Sequence, residues 1–453
     1  MHLTEALAVG PGETVAFVGA GGKTSTLYRL AQELLARGWR VVITTTTHMR
    51  PPAEPGWPLI IGEDAPARQQ ATAQALAEHG RAFVAGAFVQ ADKLRGIPPA
   101  EIADLTCLAD AVLVEADGAR GLHLKAPAEY EPVIPLSASL VVPIIGLGAV
   151  DRPLAAQTVH RPERVAALLR VSPGTPLRPE MVATLLLHDN GGLRGAPAQA
   201  RVVALCNQAD DEERRIAGRR IAAHVLAAPG RIRRVVVGAA QGAPANYETW
   251  QPSAVIVLAA GAASRFGRLK QLEEWEGRPF LIRIIDAALE SLATEVHVVL
   301  GCQAEQLASL LEKRRAPRLR LLLNPAWASG QASSVRAGLA DLSEEIAAAV
   351  FCTVDQPLLS AREIDALLAR HAATAAPVVA ARQLGALRSP VLFARSLFPA
   401  LAGLTGDAGG RAIAERYRSD AGTIEVTDPL PYTDVDTPED LERLRRPGDG
   451  QQL

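Results

Sequence analysis

Four cysteines, at positions 107, 206, 302 and 352, stand far apart in a chain of 453 residues and form no C-x-x-C pair. That spacing argues against a disulfide framework or a cysteine zinc site, and it fits a reducing cytoplasm. Neither charge sign forms a long block: 47 basic side chains face 49 acidic ones, for a net charge of −2. Such balance argues against a dedicated nucleic-acid surface and a polybasic membrane patch. Long apolar runs are missing as well, and the longest, Ser139 to Val150, is too short to span a bilayer and contains Pro143. The opening "MHLTEALAVGPGE" has an early glutamate and no basic segment before an apolar core, so no secretory signal is expected there. Lysine is also scarce, with only five among the basic residues, at 23, 93, 125, 270 and 313. A chain that takes arginine wherever either cation serves, yet keeps lysine in glycine-rich loops, points to a need for a compact ammonium in those loops.

What is present is alternation. At 48% hydrophobic and 21% charged residues, the chain can bury more than one ordinary core. Short β-branched runs alternate with helical patterns throughout, as stacked βαβ units on a parallel sheet require. Strands are expected over 14–18, 40–45, 82–85, 111–115, 140–145, 201–206 and 233–237, with helices over 24–37, 68–78 and 211–226. "GAAQGAPANYETWQPS", Gly238 to Ser253, shows no period and reads as a linker. The alternation then restarts with strands over 254–258, 295–300, 318–323 and 347–352. The expected organisation is a two-domain α/β chain: a P-loop-like parallel-sheet domain over 1–238, a linker over 239–253, a Rossmann-like domain over 254–446 and a tail over 447–453.

The first loop, "GAGGKTS" from Gly19 to Ser25, lies between a strand and a helix. Gly19, Gly21 and Gly22 allow backbone N–H groups to turn inward, Lys23 can reach phosphate oxygens, and Thr24 or Ser25 can ligate magnesium. Its spacing is shorter than the standard G-x-x-x-x-G-K-[ST] and closer to the short P-loop of Mur-type ligases. "AVLVEADG" ends an apolar run on Glu115 and Asp117, where such proteins place the carboxylate that holds magnesium. "VVALCNQAD" ends another on Asn207, with Asp210 three residues later, a spacing used to read guanine. Nucleotide binding is expected here, with GTP or ATP both open.

On "VGAGGKTS", "TTTTHM" (Thr44 to Met49), "EADGARGLHLKAPAEYEPVIP" (Glu115 to Pro135) and "CNQAD", residues 10 to 238 resemble the YqeC-like accessory proteins associated with selenium-dependent molybdenum hydroxylases. The resemblance implies a role in maturing a molybdenum enzyme and names no reaction. The four threonines are either hydroxyl ligands or strand residues chosen for β-propensity. His48 and His123 are either metal or selenium contacts or ordinary loop residues.

The second loop is "LAAGAASRFGRLKQL". Small residues from Ala259 to Ala263 let the main chain lie against a base and its phosphates, and Arg265 and Lys270 can neutralise a triphosphate as the leaving pyrophosphate gains charge. The layout L-A-A-G-x-x-S-R-x-G-x-x-K resembles the signature of the MobA-like nucleotidyltransferases and, among them, the molybdenum cofactor cytidylyltransferases. The resemblance covers about residues 253 to 446. It implies nucleotide binding by Leu258, Ala259, Ala260, Gly261, Ser264 and Gly267, and an acceptor-side segment, "NPAWASGQASSVRAGL", carrying Gly330, Ser333 and Ser334. Asp407 falls in its product-side loop, Asp355 at its magnesium position, and Asp436 and Asp434 where a second carboxylate reaches the metal. Phe266 and the charged "EEWEG" (Glu273 to Gly277) depart from the usual pattern at the loop's edge.

The resemblance thus implies Mg²⁺-dependent transfer of CMP from CTP to a molybdopterin-type cofactor, with Arg265, Lys270 and Asp355 as the catalytic set and pyrophosphate as product. A client molybdenum hydroxylase would be the partner, in the cytoplasm, with neither nucleic acid nor membrane involved. Two rivals stay open: a sugar- or alditol-phosphate nucleotidyltransferase, and a nucleotide-gated cofactor chaperone without turnover.

Overall fold

The structure, a computed structural model, describes residues 1–52, 56–241, 246–263, 265–312, 314, 316–417 and 422–445. Two compact units divide the chain, Met1–Trp250 and Gln251–Leu453.

The first unit is built on a nine-stranded sheet. Its strands are β1 (Glu13–Gly19), β2 (Val41–Thr45), β3 (Leu59–Ile61), β4 (Arg81–Ala85), β5 (Ala111–Glu115), β6 (Leu140–Gly146), β7 (Arg201–Asn207), β8 (Ile232–Val237) and β9 (Glu248–Trp250). They lie in the order β9-β8-β7-β6-β1-β5-β2-β4-β3, and all pairs are parallel except β8 with β9. Burial on both faces explains the unbroken apolar runs: every residue of β2, β5 and β6 is buried. Helix α1 (Lys23–Ala36) follows β1 and buries Leu27, Leu30, Ala31 and Leu34, one face at helical spacing, against that sheet. It stops at Arg37, after which Gly38 takes φ +79°, the left-handed conformation that ends helices cheaply.

The expected linker needs correction. Residues 248–250 form the antiparallel edge strand β9, and Tyr247 is fully buried in the core of the first unit. A Cβ added at Gly238 would meet the Tyr247 ring at 2.2 Å, so the glycine there makes room for that ring. Gly, Ala and Pro composition suggested a spacer, but one buried aromatic outweighs a lack of period. Residues 242–245 of that stretch, and the tail over 447–453, lie outside the described residues.

The second unit carries a seven-stranded sheet: β10 (Ser253–Ala259), β11 (Glu295–Leu300), β12 (Leu319–Leu323), β13 (Ala348–Thr353), β14 (Val378–Gln383), β15 (Ala386–Ala394) and β16 (Gly422–Glu425). Their order is β12-β11-β10-β13-β15-β14-β16, with β15 antiparallel to both neighbours. The other four pairings are parallel, as the alternation of strands and helices leads one to expect, and the antiparallel insertion is the β14–β15 hairpin. Its turn is Leu384 and Gly385, both at positive φ, a two-residue connection whose first member is not the usual Asn or Asp.

Candidate functional site

In the second unit, strand β10 sits between β11 and β13, so the chain leaves it on one side and returns on the other. Loops at the carboxyl ends of the strands diverge at such a point and leave a crevice. Here that crevice is a cleft of about 380 Å³, lined by Leu258, Ala260, Gly261, Lys270, Gly330, Ser334, Asp355 and Asp407 among others. Small residues, Ala260 to Ala263, form part of its lining. The Gln271 amide donates to Ala259 O at 2.9 Å and Gly261 O at 2.8 Å, which ties the end of the loop to its start. Among the described residues nothing lies within 4 Å of where a Gly261 side chain would begin, and Gly261 lines the cleft.

The charged groups converge from distant stretches. Lys270 Nζ lies 2.8 Å from Asp436 Oδ1, and Arg265, mostly exposed, is 4.0 Å from the other oxygen. Asp355 follows β13 directly, and its carboxylate accepts from Thr353 Oγ1. Val435 N donates to Asp355 O at 2.8 Å, so the 434–436 segment is pinned beside it. Burial pushes the Asp355 carboxyl above the usual range, and Asp436 adds to the shift, against the opposing pull of Thr353 and Lys270. Asp434 is also shifted up, first by burial and then by Asp355, while Gln356 Nε2 donates to it at 3.0 Å.

Several expected residues play other parts. Ala259 is buried and contributes its carbonyl to Gln271. Ser333 is buried, accepting from Asn324 Nδ2 at 2.8 Å and donating to Gly330 O, so it shapes the turn and is not free for a substrate; Ser334 takes the second Asn324 bond at 3.0 Å while still lining the cleft. Gly267 takes φ +74° in the exposed part of the loop and does not line the cleft. Ser264 lies outside the described residues. Among the described residues, no three histidine, cysteine or carboxylate side chains gather as a metal-holding group. Gln271, Gln331 and Thr353 also line the cleft and carried no motif that marks them in sequence.

In the first unit, β1 lies between β5 and β6, and the Gly19 loop leaves its carboxyl end. Gly19 and Gly21 are required there: added Cβ atoms would strike Ile144 O at 2.3 Å and Gly146 N at 2.2 Å. Lys23 Nζ donates to Gly19 O at 2.7 Å and lies 3.0 Å from Asp117 Oδ1. Asp117 Oδ2 accepts from Gly19 N at 3.0 Å and lies 3.0 Å from Lys125 Nζ, which in turn meets Glu131 at 2.9 Å, and Glu131 meets Arg161 at 2.6 Å. A ladder of alternating charge, buried at Lys23, Asp117 and Lys125 and partly exposed at Glu131 and Arg161, therefore runs outward from the loop. Thr24 Oγ1 donates to Glu115 at 2.8 Å, and burial raises the Glu115 carboxyl while Lys23 and Thr24 oppose it. Ser25 Oγ accepts from Gln241.

Asn207 does not face outward. Its Nδ2 donates to Gly21 O at 2.7 Å and its Oδ1 accepts from Ala240 N at 2.9 Å, and Asp210 pairs with Arg214 at 3.0 Å. Both ends of the Asn207 amide hold the loop and the side chain is buried, so it is not presented outward as a base reader. The threonines resolve likewise: Thr44, Thr45 and Thr46 donate to the carbonyls of Val84, Glu115 and Val133. His123 meets Gln208 at 2.8 Å, and His48 is exposed.

The ladder carries a pH signature. Burial raises the Glu131 carboxyl, but hydrogen bonds from Arg161 and Lys125 outweigh it and hold the pKa down to about 2. A depressed folded value stabilises the fold above the unfolded pKa of about 4.3 and is lost as pH falls through about 2. The first unit is expected to lose on the order of 2 kcal/mol between pH 5 and pH 2 from this group, and Glu131→Gln to lose that part of the slope. Urea denaturation at stepped pH checks it, and equal slopes in the two proteins would refute it.

Comparison with known proteins divides the chain at the same place. The YqeC protein family model matches residues 15–163, and the MobA-like NTP transferase domain matches residues 255–421. The chain is 35% identical over 213 residues to the protein YqeC of Escherichia coli (strain K12), covering 45% of this chain and 78% of that protein. It is 30% identical over 198 residues to the purine catabolism protein PucB of Bacillus subtilis (strain 168), covering 42% of this chain and 95% of that protein. Among solved structures it is similar to Rv0371c of Mycobacterium tuberculosis H37Rv, 25% identical, covering 43% of this chain and 97% of that one, with a TM-score of 0.37. No helix among the described residues is long and apolar enough to cross a membrane.

Proposed function

We propose that this chain, which belongs to the YqeC family through its first half and to the MobA-like NTP transferases through its second, matures a molybdenum cofactor by transferring CMP from CTP to a molybdopterin-type acceptor. The second unit is a nucleotidyltransferase domain; the choice of CTP and of the acceptor is our reading. One observation carries it: Lys270 and Asp355 line the same cleft, over a floor of small residues, Ala260 to Ala263, at the strand switch. Such a floor admits a base and phosphates, and Lys270 with Arg265 can take up the charge that grows on pyrophosphate as it leaves. Asp436 pairs with Lys270, so a triphosphate in the cleft would compete with that carboxylate for the ammonium.

The residues present fit a divalent cation. Asp355 is a buried carboxylate with carboxylate neighbours, and a 2+ charge relieves both the burial and the repulsion. Asp355 with Asp436 or Asp434 would hold Mg²⁺, and the ion would supply charge neutralisation at the α-phosphate. For the first unit, the Gly19–Ser25 loop with Lys23, Thr24 and Glu115 supports binding of GTP or ATP, in an accessory role for a molybdenum hydroxylase, selenium-dependent or not. The likeness to a purine catabolism protein supports a client that acts on a purine.

The experiment is pyrophosphate release by the purified chain with Mg²⁺ and molybdenum-loaded pterin cofactor, comparing CTP, GTP and ATP. Release that needs the cofactor and is fastest with CTP is the expected result. Equal release without cofactor, or none with any nucleotide, would overturn the reading.

A further inference from the structure

A second cavity, of about 210 Å³, adjoins the nucleotide cleft and shares Leu258, Gln331 and Thr353 with it. Its chemistry differs. Phe351 and Phe393, an edge-to-face pair with centroids 5.9 Å apart, form one wall with Leu387 and Leu401. Against this apolar wall stand two arginines, Arg388 and Arg411, and one carboxylate, Asp434. Arg388 is the unusual member: its Nε is shielded from solvent with no hydrogen-bond partner among the described residues, and its charge acts on the Asp434 carboxyl across the cavity without a hydrogen bond between them. Buried guanidinium N–H groups are costly to leave unpaired, so such a group in a cavity marks a place for an anion. The next residue is fixed: Gln356, adjacent to Asp355, donates to Ser389 O at 3.0 Å, which anchors the Arg388 strand beside the reacting centre.

We propose that this cavity, and not the Gly330–Ser334 segment, receives the acceptor, that the acceptor is a phosphomonoester on a flat ring system, and that Arg388 binds its phosphate. The inference rests on the nucleotidyl-transfer reading above. The aromatic wall takes the flat ring system, and the guanidinium offers two parallel N–H groups to the phosphate. An oxygen of that phosphate forms the new bond to the α-phosphorus at the Thr353 boundary. The bond from the α-phosphorus to the bridging oxygen breaks, and its electron pair leaves with pyrophosphate. The acceptor oxygen carries no proton at neutral pH, so no general base is needed, in contrast to an alcohol acceptor.

The test is equilibrium binding of molybdopterin-type cofactor, followed by its pterin fluorescence, to the full chain in the presence of α,β-methylene CTP. Wild type, Arg388→Gln and Arg388→Lys are compared, along with dephosphorylated cofactor, and thermal melts confirm that each variant is folded. Arg388→Gln is expected to weaken cofactor binding about 10- to 100-fold, with Arg388→Lys recovering part of it. CTP-analogue affinity should stay unchanged, and dephosphorylated cofactor should bind wild type and Arg388→Gln alike. If Arg388→Gln does not fold, Arg388→Lys carries the test and should show a smaller loss confined to the phosphorylated cofactor. Equal cofactor binding by folded variant and wild type, loss of CTP-analogue affinity in step, or no cofactor binding by wild type would each overturn the assignment. Arg388-dependent binding without pyrophosphate release would instead sink the transfer reading and leave the cavity's ligand class standing.

Discussion

Replacing Asp355 by asparagine is expected to cut cofactor-dependent pyrophosphate release by on the order of 10³-fold while leaving the second unit at least as stable as wild type. The two halves of that expectation come from one fact. Asp355 is buried, and burial lifts its carboxyl above the usual range, with Asp436 repelling it further. An aspartate whose folded pKa is raised above its unfolded value weakens the fold at every pH above that unfolded value, because the charged form is worse off inside than out. Asparagine keeps the size and can still accept from Thr353, but it removes the charge and with it that cost. A fold that carries such a residue at a loss needs a functional reason, here the handling of a cation and the α-phosphate. Pyrophosphate release and thermal melting at pH 7.5 read both halves. Full activity in Asp355→Asn would remove Asp355 from the catalytic set, and a large drop in melting temperature would mean that the carboxylate serves the fold instead.

Much of this was legible in sequence for a simple reason. Strands buried on both faces announce themselves as unbroken apolar runs, and the loops after them hold the small residues and cations that ligand contact needs. Strands over 111–115 and 295–300 were expected at the bounds observed, and both glycine-rich loops lie at strand ends as expected. Long-range pairings were not legible. Nothing near Asn207 in sequence shows that Gly21 and Ala240 would take both ends of its amide, and a strand-end Asn followed by Asp reads as base recognition until those partners appear. Lys270 and Asp436 meet where Val435 bonds to the Asp355 carbonyl, long-range contacts that no local pattern encodes. Arg388 is hidden for the opposite reason: an arginine in an arginine-rich chain carries no local signal, and nothing beside it in sequence marks the cavity wall.

Lys23→Met is expected to reduce nucleotide binding by the first unit at least about 100-fold and to leave pyrophosphate release by the second unit unchanged. Lys23 is 5% exposed and holds both the Gly19 carbonyl and Asp117, so it shapes the loop as well as offering charge to a phosphate. Loss of one partner from a buried pair also leaves the other unpaired, at about 3–5 kcal/mol, and binding could then fail through unfolding alone. Two features separate the causes. Asp117 keeps Lys125 as a partner at 3.0 Å, so its charge is not abandoned, and the double change Lys23→Met with Asp117→Asn takes both charges out together. If phosphate recognition by Lys23 is what matters, single and double variants fold and both fail to bind ATP or GTP analogues in a fluorescence titration. If the ladder is only structural, the double variant recovers binding toward wild type, since no charge is stranded. Pyrophosphate release is the second readout: the two loops belong to different compact units, 1–250 and 251–453, each with its own sheet. A parallel fall in both activities would mean that nucleotide at the Gly19 loop controls transfer at the Gly261 loop, and the halves would have to be treated as one coupled machine.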